Sequence, residues 1–364
     1  MIFDRTDQRP GARLLFLLAC IVVVVWGMKL AAPILLPSAL ALILTVLSLP
    51  AMLWFRRKGF PGWLAIGITI LMNLAIFGLV VLLAAGSLAQ FQERLPEYVQ
   101  SLDVLQAAWI GWLESHTGFM LGEQVGTKLV SPMAVMSVAR GALGYAAQFV
   151  STTVLVFIVM SFMLSEFMVF PDKVRFLRGG GALLNERLTK VVGEVQSYLV
   201  IKTGVSFAVG VLVGIWCWFM ELDLPILLGL TAFLLHFIPT VGGVIAAVPA
   251  ILLSLVIYGT FAHATTVGVG YLVISMILGN ILEPHLQGRR LGLSTLVVVL
   301  SLLFWGWAWG PVGALLSVPL TVIVRIWLEN TEDLKWVAVL LDSAAPKAAP
   351  SVEGARSPSV ATTT

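Results

Sequence analysis

Between Phe233 and Pro249 the chain reads FLLHFIPTVGGVIAAVP, apolar enough for a bilayer core yet broken by Pro239, Gly242, Gly243 and Pro249. A hydrocarbon core offers no water to backbone N–H and C=O groups. A broken segment survives there only where protein or a water-filled cavity covers the freed groups. The stretch therefore confines the chain to folds that surround it with other helices, and it marks a candidate transport site.

The remainder of the sequence supplies those helices. Of its 364 residues 59% are hydrophobic and 11% charged, against about 25% charged in soluble domains. Several apolar runs of about 18 residues or more predict an all-α polytopic membrane protein, and the alternation of a transmembrane barrel is absent. Cys20 and Cys217 lie inside apolar runs and read as small buried hydrophobes. Arg5, Arg9 and Arg13 precede the first run, which is followed at once by a second and lacks a clean small-residue cleavage site. It reads as an uncleaved span.

The order of segments divides the chain into five parts. Residues 1–88 form an N-terminal unit of three spans, with Arg56, Arg57 and Lys58 after the second. Residues 89–147 carry Phe91, Leu95, Val99, Leu102, Leu105, Trp109 and Trp112 at helical spacing among charged residues. This predicts an amphipathic extracytoplasmic or interfacial helix that Pro96 starts or kinks. It could lie in the membrane interface, pack on a neighbouring subunit, or cover the protein's own apolar surface. Residues 148–197 hold a fourth span and a basic connector. The connector's Gly179–Gly180–Gly181 run is a turn, since no Lys-Ser/Thr pair follows it. Residues 198–328 form the transport core, with Lys202 close enough to its start to snorkel to the interface. Residues 329–364 form a tail, disordered from about residue 343 by its Ala, Pro, Ser and Thr content.

Two segments of the core are too long for single spans. Residues 224–257 would run about 50 Å as one helix, against a hydrocarbon core of roughly 30 Å. Residues 293–327 are equally overlong and are interrupted at Gly306, Gly310, Pro311, Gly313 and Pro319. The stretch from Val241 to Pro249 aligns with that from Pro311 to Pro319, matching Gly243 to Gly313 and Val248–Pro249 to Val318–Pro319. One reading is a pair of re-entrant hairpins entering from opposite sides, with tips meeting inside the bilayer, as in inverted-repeat transporters. The other is two long tilted spans. Charge favours hairpins: they leave Arg289, Arg290 and Arg325 cytoplasmic, together with both termini. The total is about eight membrane segments.

No enzyme constellation is present, and no metal or cofactor site is expected. His116, His236, His263 and His285 lack zinc-ligand spacing, and no nucleophile elbow occurs. Glu283 follows a long apolar run, with Asn280 one turn earlier. A carboxylate within the membrane is costly and seldom idle, although Glu283 could instead sit at a helix end and pair with Arg289 or Arg290. His236 precedes Pro239 and is either a packing histidine or a proton-sensitive one. Backbone N–H groups around Gly242–Gly243 and Gly310–Pro311–Gly313 could hold a polar solute or ion. The same glycines could equally serve close helix packing. The tryptophans Trp305, Trp307 and Trp309 argue for a headgroup-level position of the second break.

The elements Pro239–Gly242, then Asn280, Glu283, Pro284 and Gly288, then Trp305–Gly306, Gly310, Ala314 and Pro319 resemble those of the autoinducer-2 exporter family of bacterial permeases. Many members have Gly-Pro where this chain has Gly242–Gly243. The resemblance covers about residues 196–328 and is architectural before that. It implies a multi-pass permease of the cytoplasmic (inner) membrane, forming a homo-oligomer. The leading expectation is a secondary transporter that exports a small polar solute, such as a signalling molecule, on an ion gradient. A sodium (lithium)/proton antiporter and a non-transporting scaffold are the alternatives. The expected partners are the solute or a monovalent cation or proton, and lipid, with no nucleic acid.

Overall fold

The computed structural model describes residues 10–117, 152–170, 181–239, 241–287 and 294–329, with a few isolated positions besides. All regular structure among them is helical. The elements are α1 (Pro10–Leu30), α2 (Ala32–Arg57), α3 (Gly62–Thr117), α4 (Thr152–Phe170), α5 (Gly181–Phe219), α6 (Pro225–Leu235), α7 (Gly242–Tyr258), α8 (Phe261–Gln287) and α9 (Thr295–Glu329). Among the described residues, α2, α3, α4, α5, α8 and α9 are long and apolar enough to cross a membrane. Leu71, Leu82, Phe162, Phe207 and Leu303 point outward from them, exposed. Such a surface suits lipid and not water. The chain is an all-α, multi-pass membrane protein.

Helix α5 is the hub. It packs against α2, α6, α8 and α9, and its glycines let α6 approach closely. A side chain at Gly229 would fall 2.6 Å from the Gly210 carbonyl oxygen, and one at Gly210 would fall 2.7 Å from Phe233 Cβ. Small residues of this kind replace the hydrophobic drive that helices lack in lipid. Helix α8 runs antiparallel beside α5. Trp216 Nε1 donates to the Val267 carbonyl at 3.3 Å near one end of the pair, and Lys202 meets Glu283 near the other.

The first broken segment is a hairpin. At 11 residues α6 is about 16 Å long and cannot cross the core. Tyr258, the last residue of α7, donates its hydroxyl to the Glu221 carbonyl at 3.0 Å, just before α6 begins. Both ends of the segment therefore lie at one level, and the turn at His236–Val241 is the tip. Gly242 permits that turn, because a Cβ there would come 1.9 Å from the Leu235 carbonyl oxygen.

The second segment folds back as well. Gly310 has φ 70° and ψ −155°, the point where the direction of α9 changes. Only glycine adopts this backbone readily, and Pro311 then starts the returning arm, where its missing N–H costs nothing. Trp305 Nε1 donates to Thr321 Oγ1 at 3.1 Å across a separation of sixteen residues, which would be about 24 Å in a straight helix. A Cβ at Gly313 would fall 2.2 Å from the Trp305 carbonyl oxygen. The two arms are antiparallel.

The hairpins enter from opposite sides. The base of the first lies at the Phe219 end of α5. The returning arm of the second, Leu316 to Val322, packs with Val195, Tyr198 and Leu199 toward the other end of α5. Its tip is held by α1: Trp309 Nε1 donates to the Met28 carbonyl at 3.1 Å, and Lys29 Nζ lies 4.0 Å from the Trp307 ring centroid. Trp305 and Trp309 thus bond to the protein, and their presence does not require headgroups. One expectation fails. The tips do not meet, because α9 packs on α1, α2 and α5 and makes no substantial contact with α6, α7 or α8.

The third span also departs from the sequence pattern. It does not end near residue 88, but continues as one helix of 56 residues through Pro96 to Thr117. Proline removes one hydrogen bond, to the Gln92 carbonyl, and the extension gains contacts by docking on the base of the first hairpin. Arg94 pairs with Asp223, and Tyr98 Oη donates to Asp223 Oδ2 at 2.9 Å. Trp109 packs edge-on to Phe261 with centroids 4.7 Å apart. This part of the extension covers the protein's own surface. Residues 118–147 of the expected amphipathic segment lie outside the described residues. Tyr98 is about 54 Å along α3, beyond a hydrocarbon core. Burial and then the Asp223 hydrogen bond push its phenol well above the usual range, so it stays a donor.

The hairpin assignment of α9 has a direct check. With Cys20 and Cys217 replaced, Gly306→Cys with Ala314→Cys is expected to oxidise readily to a disulfide. A Cβ at Gly306 lies 3.5 Å from Ala314 Cβ, within the disulfide range. Failure to cross-link under copper-phenanthroline oxidation would indicate a straight helix, which sets these positions about 12 Å apart.

Candidate functional site

The tip of the first hairpin closes on the far part of α5 and α8. Lys202 lies seventeen residues before Phe219, about 25 Å along α5. Its ammonium donates to both carboxylate oxygens of Glu283, at 2.9 Å to Oε1 and 3.0 Å to Oε2. Gln287, one turn on, donates Nε2 to Oε1 at 2.9 Å. His236, at the C-terminus of α6, places Nε2 3.5 Å from Glu283 Oε2, too far for a good hydrogen bond. That nitrogen is buried without a hydrogen-bond partner. The side chains of Lys202, His236 and Glu283 are 5%, 8% and 14% exposed. The ion pair is therefore largely dehydrated, and it persists because three N–H donors compensate the carboxylate.

Local sequence explains this geometry. In an ordinary helix the ring of Pro284 would collide with the Asn280 carbonyl, and it has no N–H to offer that oxygen. The helix answers by widening: residues Met276–Leu282 form a π-helix, and the Glu283 N–H bonds to the Leu278 carbonyl, five residues back. Such single-turn widenings recur at functional sites. The widening also breaks the expected pairing of Asn280 with Glu283. Residues three apart no longer stack, and Asn280 is exposed.

The glycines at the tip make room for contact. A Cβ at Gly279 would fall 3.0 Å from His236 Cε1, and one at Gly243 would fall 2.8 Å from Ser275 Oγ. His236 is thus brought to Gly279 and Glu283, and Gly243 to Ser275 on α8, while Gly242 packs against Leu235 and His236 in the turn that holds Pro239. Gly310, Pro311 and Gly313 lie elsewhere: they form the tip of the second hairpin, beside α1 and α2. Among the described residues Tyr198 links that hairpin to the ionic cluster: it is buried one turn before Lys202, feels the charge of Glu283, and packs in the cluster holding Trp305 and Leu316.

Lys202 does not snorkel to an interface. It is buried and paired inside the protein. Sequence reasoning treated it in isolation, yet a signal was available. Lys202 is the sole Lys or Arg between Lys190 and Arg289, and Glu283 is the sole Asp or Glu between Asp223 and Glu329. A lone cation and a lone anion in neighbouring apolar runs have little alternative to each other. The other partners considered for Glu283, Arg289 and Arg290, lie outside the described residues.

A dehydrated, ligated carboxylate beside the tip of a re-entrant hairpin marks a candidate transport site, and similarity to known proteins points to the same class. Residues 14–333 match the model of the AI-2E family transporters. The chain belongs to that family. It is 37% identical over 336 residues to the AI-2 transport protein TqsA of Escherichia coli (strain K12), covering 91% of this chain and 96% of that one. It is 35% identical over 344 residues to YhhT of the same strain, covering 93% and 97%. As an AI-2E family member the chain is a membrane transporter and not an enzyme.

In this transporter the ion pair also bears on stability. Lys202→Met is expected to destabilise the protein by about 3–5 kcal/mol, because it leaves a buried carboxylate unpaired. Lys202→Met combined with Glu283→Gln should recover most of that loss. Unfolding of the detergent-purified variants, compared in a double-mutant cycle, measures the coupling.

Proposed function

We propose that this AI-2E family member is a secondary permease that exports a small polar solute, such as a signalling molecule, on an ion gradient. The observation that carries the reading is the Lys202–Glu283–His236 cluster, a set of ionisable groups held at a hairpin tip within the helical core. Intramembrane ionisable groups that face the protein interior mark ion and solute pathways. A proton or cation that enters or leaves this cluster changes the charge that Lys202 and His236 present, and so changes what the tip can bind. The pathway residues under this reading are His236, Pro239, Gly242, Gly243, Asn280 and Glu283. Gly310, Pro311 and Gly313 act on the opposite entrance. TqsA is named for AI-2 transport, which makes AI-2 the first solute to assay. Family membership speaks against the scaffold alternative, and no described residue cluster favours sodium (lithium)/proton antiport.

The orientation that fits this export places both termini in the cytoplasm and the base of the first hairpin outside the inner membrane, following the basic residues at 56–58 and 289–290. Assembly as a homo-oligomer belongs to the same proposal.

In cells, Glu283→Gln should abolish gradient-driven AI-2 efflux while the protein still inserts and purifies in wild-type yield. Wild-type efflux from that variant would remove Glu283 from the mechanism. Independently, Thr260→Cys in a background without Cys20 and Cys217 should label with an impermeant maleimide from outside intact cells, and Gln287→Cys only after the inner face is opened. The reverse labelling would invert the orientation.

A further inference from the structure

The Glu283 carboxylate already holds a cation. Lys202 Nζ is within 3.0 Å of both oxygens, and Gln287 Nε2 is 2.9 Å from one of them. Among the described residues, each group in direct contact with the carboxylate presents nitrogen. Hard monovalent and divalent cations take oxygen ligands, and no group of three or more acidic, His or Cys residues that could hold a metal ion exists among the described residues. A sodium ion could reach Glu283 only by displacing the ammonium, which is tethered beside it and nearly dehydrated. One approach remains open. His236 Nε2, buried and lacking a hydrogen-bond partner, faces Oε2 across 3.5 Å. A proton on that nitrogen turns the contact into a charged hydrogen bond without displacing Lys202.

We propose that Lys202 is the ion-selectivity residue of this site: its ammonium fills the cation position at Glu283, excludes sodium and lithium, and leaves the proton, taken up between His236 and Glu283, as the coupling ion. The remaining groups around His236 fit this role. Helix α5 contributes Lys202, with Tyr198 one turn before it and within electrostatic reach of Glu283. Helix α8 contributes Glu283 and Gln287. Helix α7, whose start packs beside the tip, brings no titratable side chain there. Lys202→Gln would replace the competing charge with an amide oxygen, and so convert a cation-excluding site into an oxygen-lined one.

The inference rests on the transport reading only for the word coupling, and its test needs no flux. Purified protein is melted in sodium, lithium or choline chloride at equal ionic strength. Wild type should melt at indistinguishable midpoints in all three. Lys202→Gln should gain a saturable rise of several degrees in sodium over choline, and Lys202→Gln with Glu283→Gln should lose it. Lys202→Arg, which keeps the charge, should behave as wild type. Should Lys202→Gln not survive purification, binding of radioactive sodium to wild type and to Glu283→Gln decides the matter: equal background binding supports exclusion. Glu283-dependent sodium binding to wild type, or no sodium response in a folded Lys202→Gln, overturns it. For the proton, wild type should take up about one proton per protomer more than His236→Gln on acidification; equal uptake overturns that half. Absence of AI-2 efflux from an intact wild type would overturn the transport reading alone, since melting, sodium binding and proton uptake test Lys202 and His236 separately.

Discussion

A carboxylate that has lost its water must find replacement donors, and around Glu283 two elements supply them while a third stands close by. Helix α5 brings Lys202 and α8 brings Gln287, while α6 sets His236 3.5 Å from the carboxylate. The requirement reaches well beyond the cluster. His236 approaches Glu283 only because α6 stops short and turns, and it turns only because Gly242 has no side chain to strike the Leu235 carbonyl. Lys202 approaches only because α5 and α8 run antiparallel from the Trp216–Val267 contact downward. The carboxylate points at both because Pro284 forces the π-helix that precedes it.

The two hairpins share a plan without sharing partners. Each breaks at glycine, returns through an arm bearing proline, and enters from the side opposite the other. Their tips are nevertheless treated differently. The first carries an ionisable residue and seals against α8 with small residues. The second carries tryptophans and is anchored on the end of α1 through Trp309 and Lys29. An inverted repeat therefore need not give two equivalent half-sites. Here one tip holds charge, and the other is fastened to the N-terminal unit, with Tyr198 on α5 the described residue linking them.

Much of this was legible in the sequence because bilayers leave few options. A segment too long to span and studded with Gly and Pro must either tilt or fold back, and residues 224–257 and 293–327 both fold back. The positions of the breaks and the opposed entry could be read from spacing and charge, and His236 and Glu283 stood out as ionisable residues in apolar runs. What could not be read was contact between distant residues. Asn280 has the right spacing for an α-helix and the wrong one for the π-helix that Pro284 imposes. Lys202 resembles an interfacial lysine until α8 is laid beside α5. The tips of the hairpins were expected to meet because their sequences match, whereas packing is decided by the surfaces around them, and α2 with α5 covers the second hairpin.

The extension of α3 shows the same limit and adds a consequence. Its amphipathic pattern announced a helix with one apolar face, but not what that face would cover. In the structure it lies over the loops at the base of the first hairpin, held by Asp223 through Arg94 and Tyr98 and by Phe261 through Trp109. The hairpin is thus held at its base by polar contacts, while at its tip His236 lies 3.5 Å from Glu283, whose ion pair with Lys202 joins α5 to α8. Polar contacts near water are easily exchanged for hydration, whereas the buried pair is not. On the proton-coupling proposal, movement of the hairpin is governed at the tip, where a proton on His236 would turn its contact with Glu283 into a charged hydrogen bond. That proposal places control of the hairpin and the chemistry of ion binding in the same few side chains.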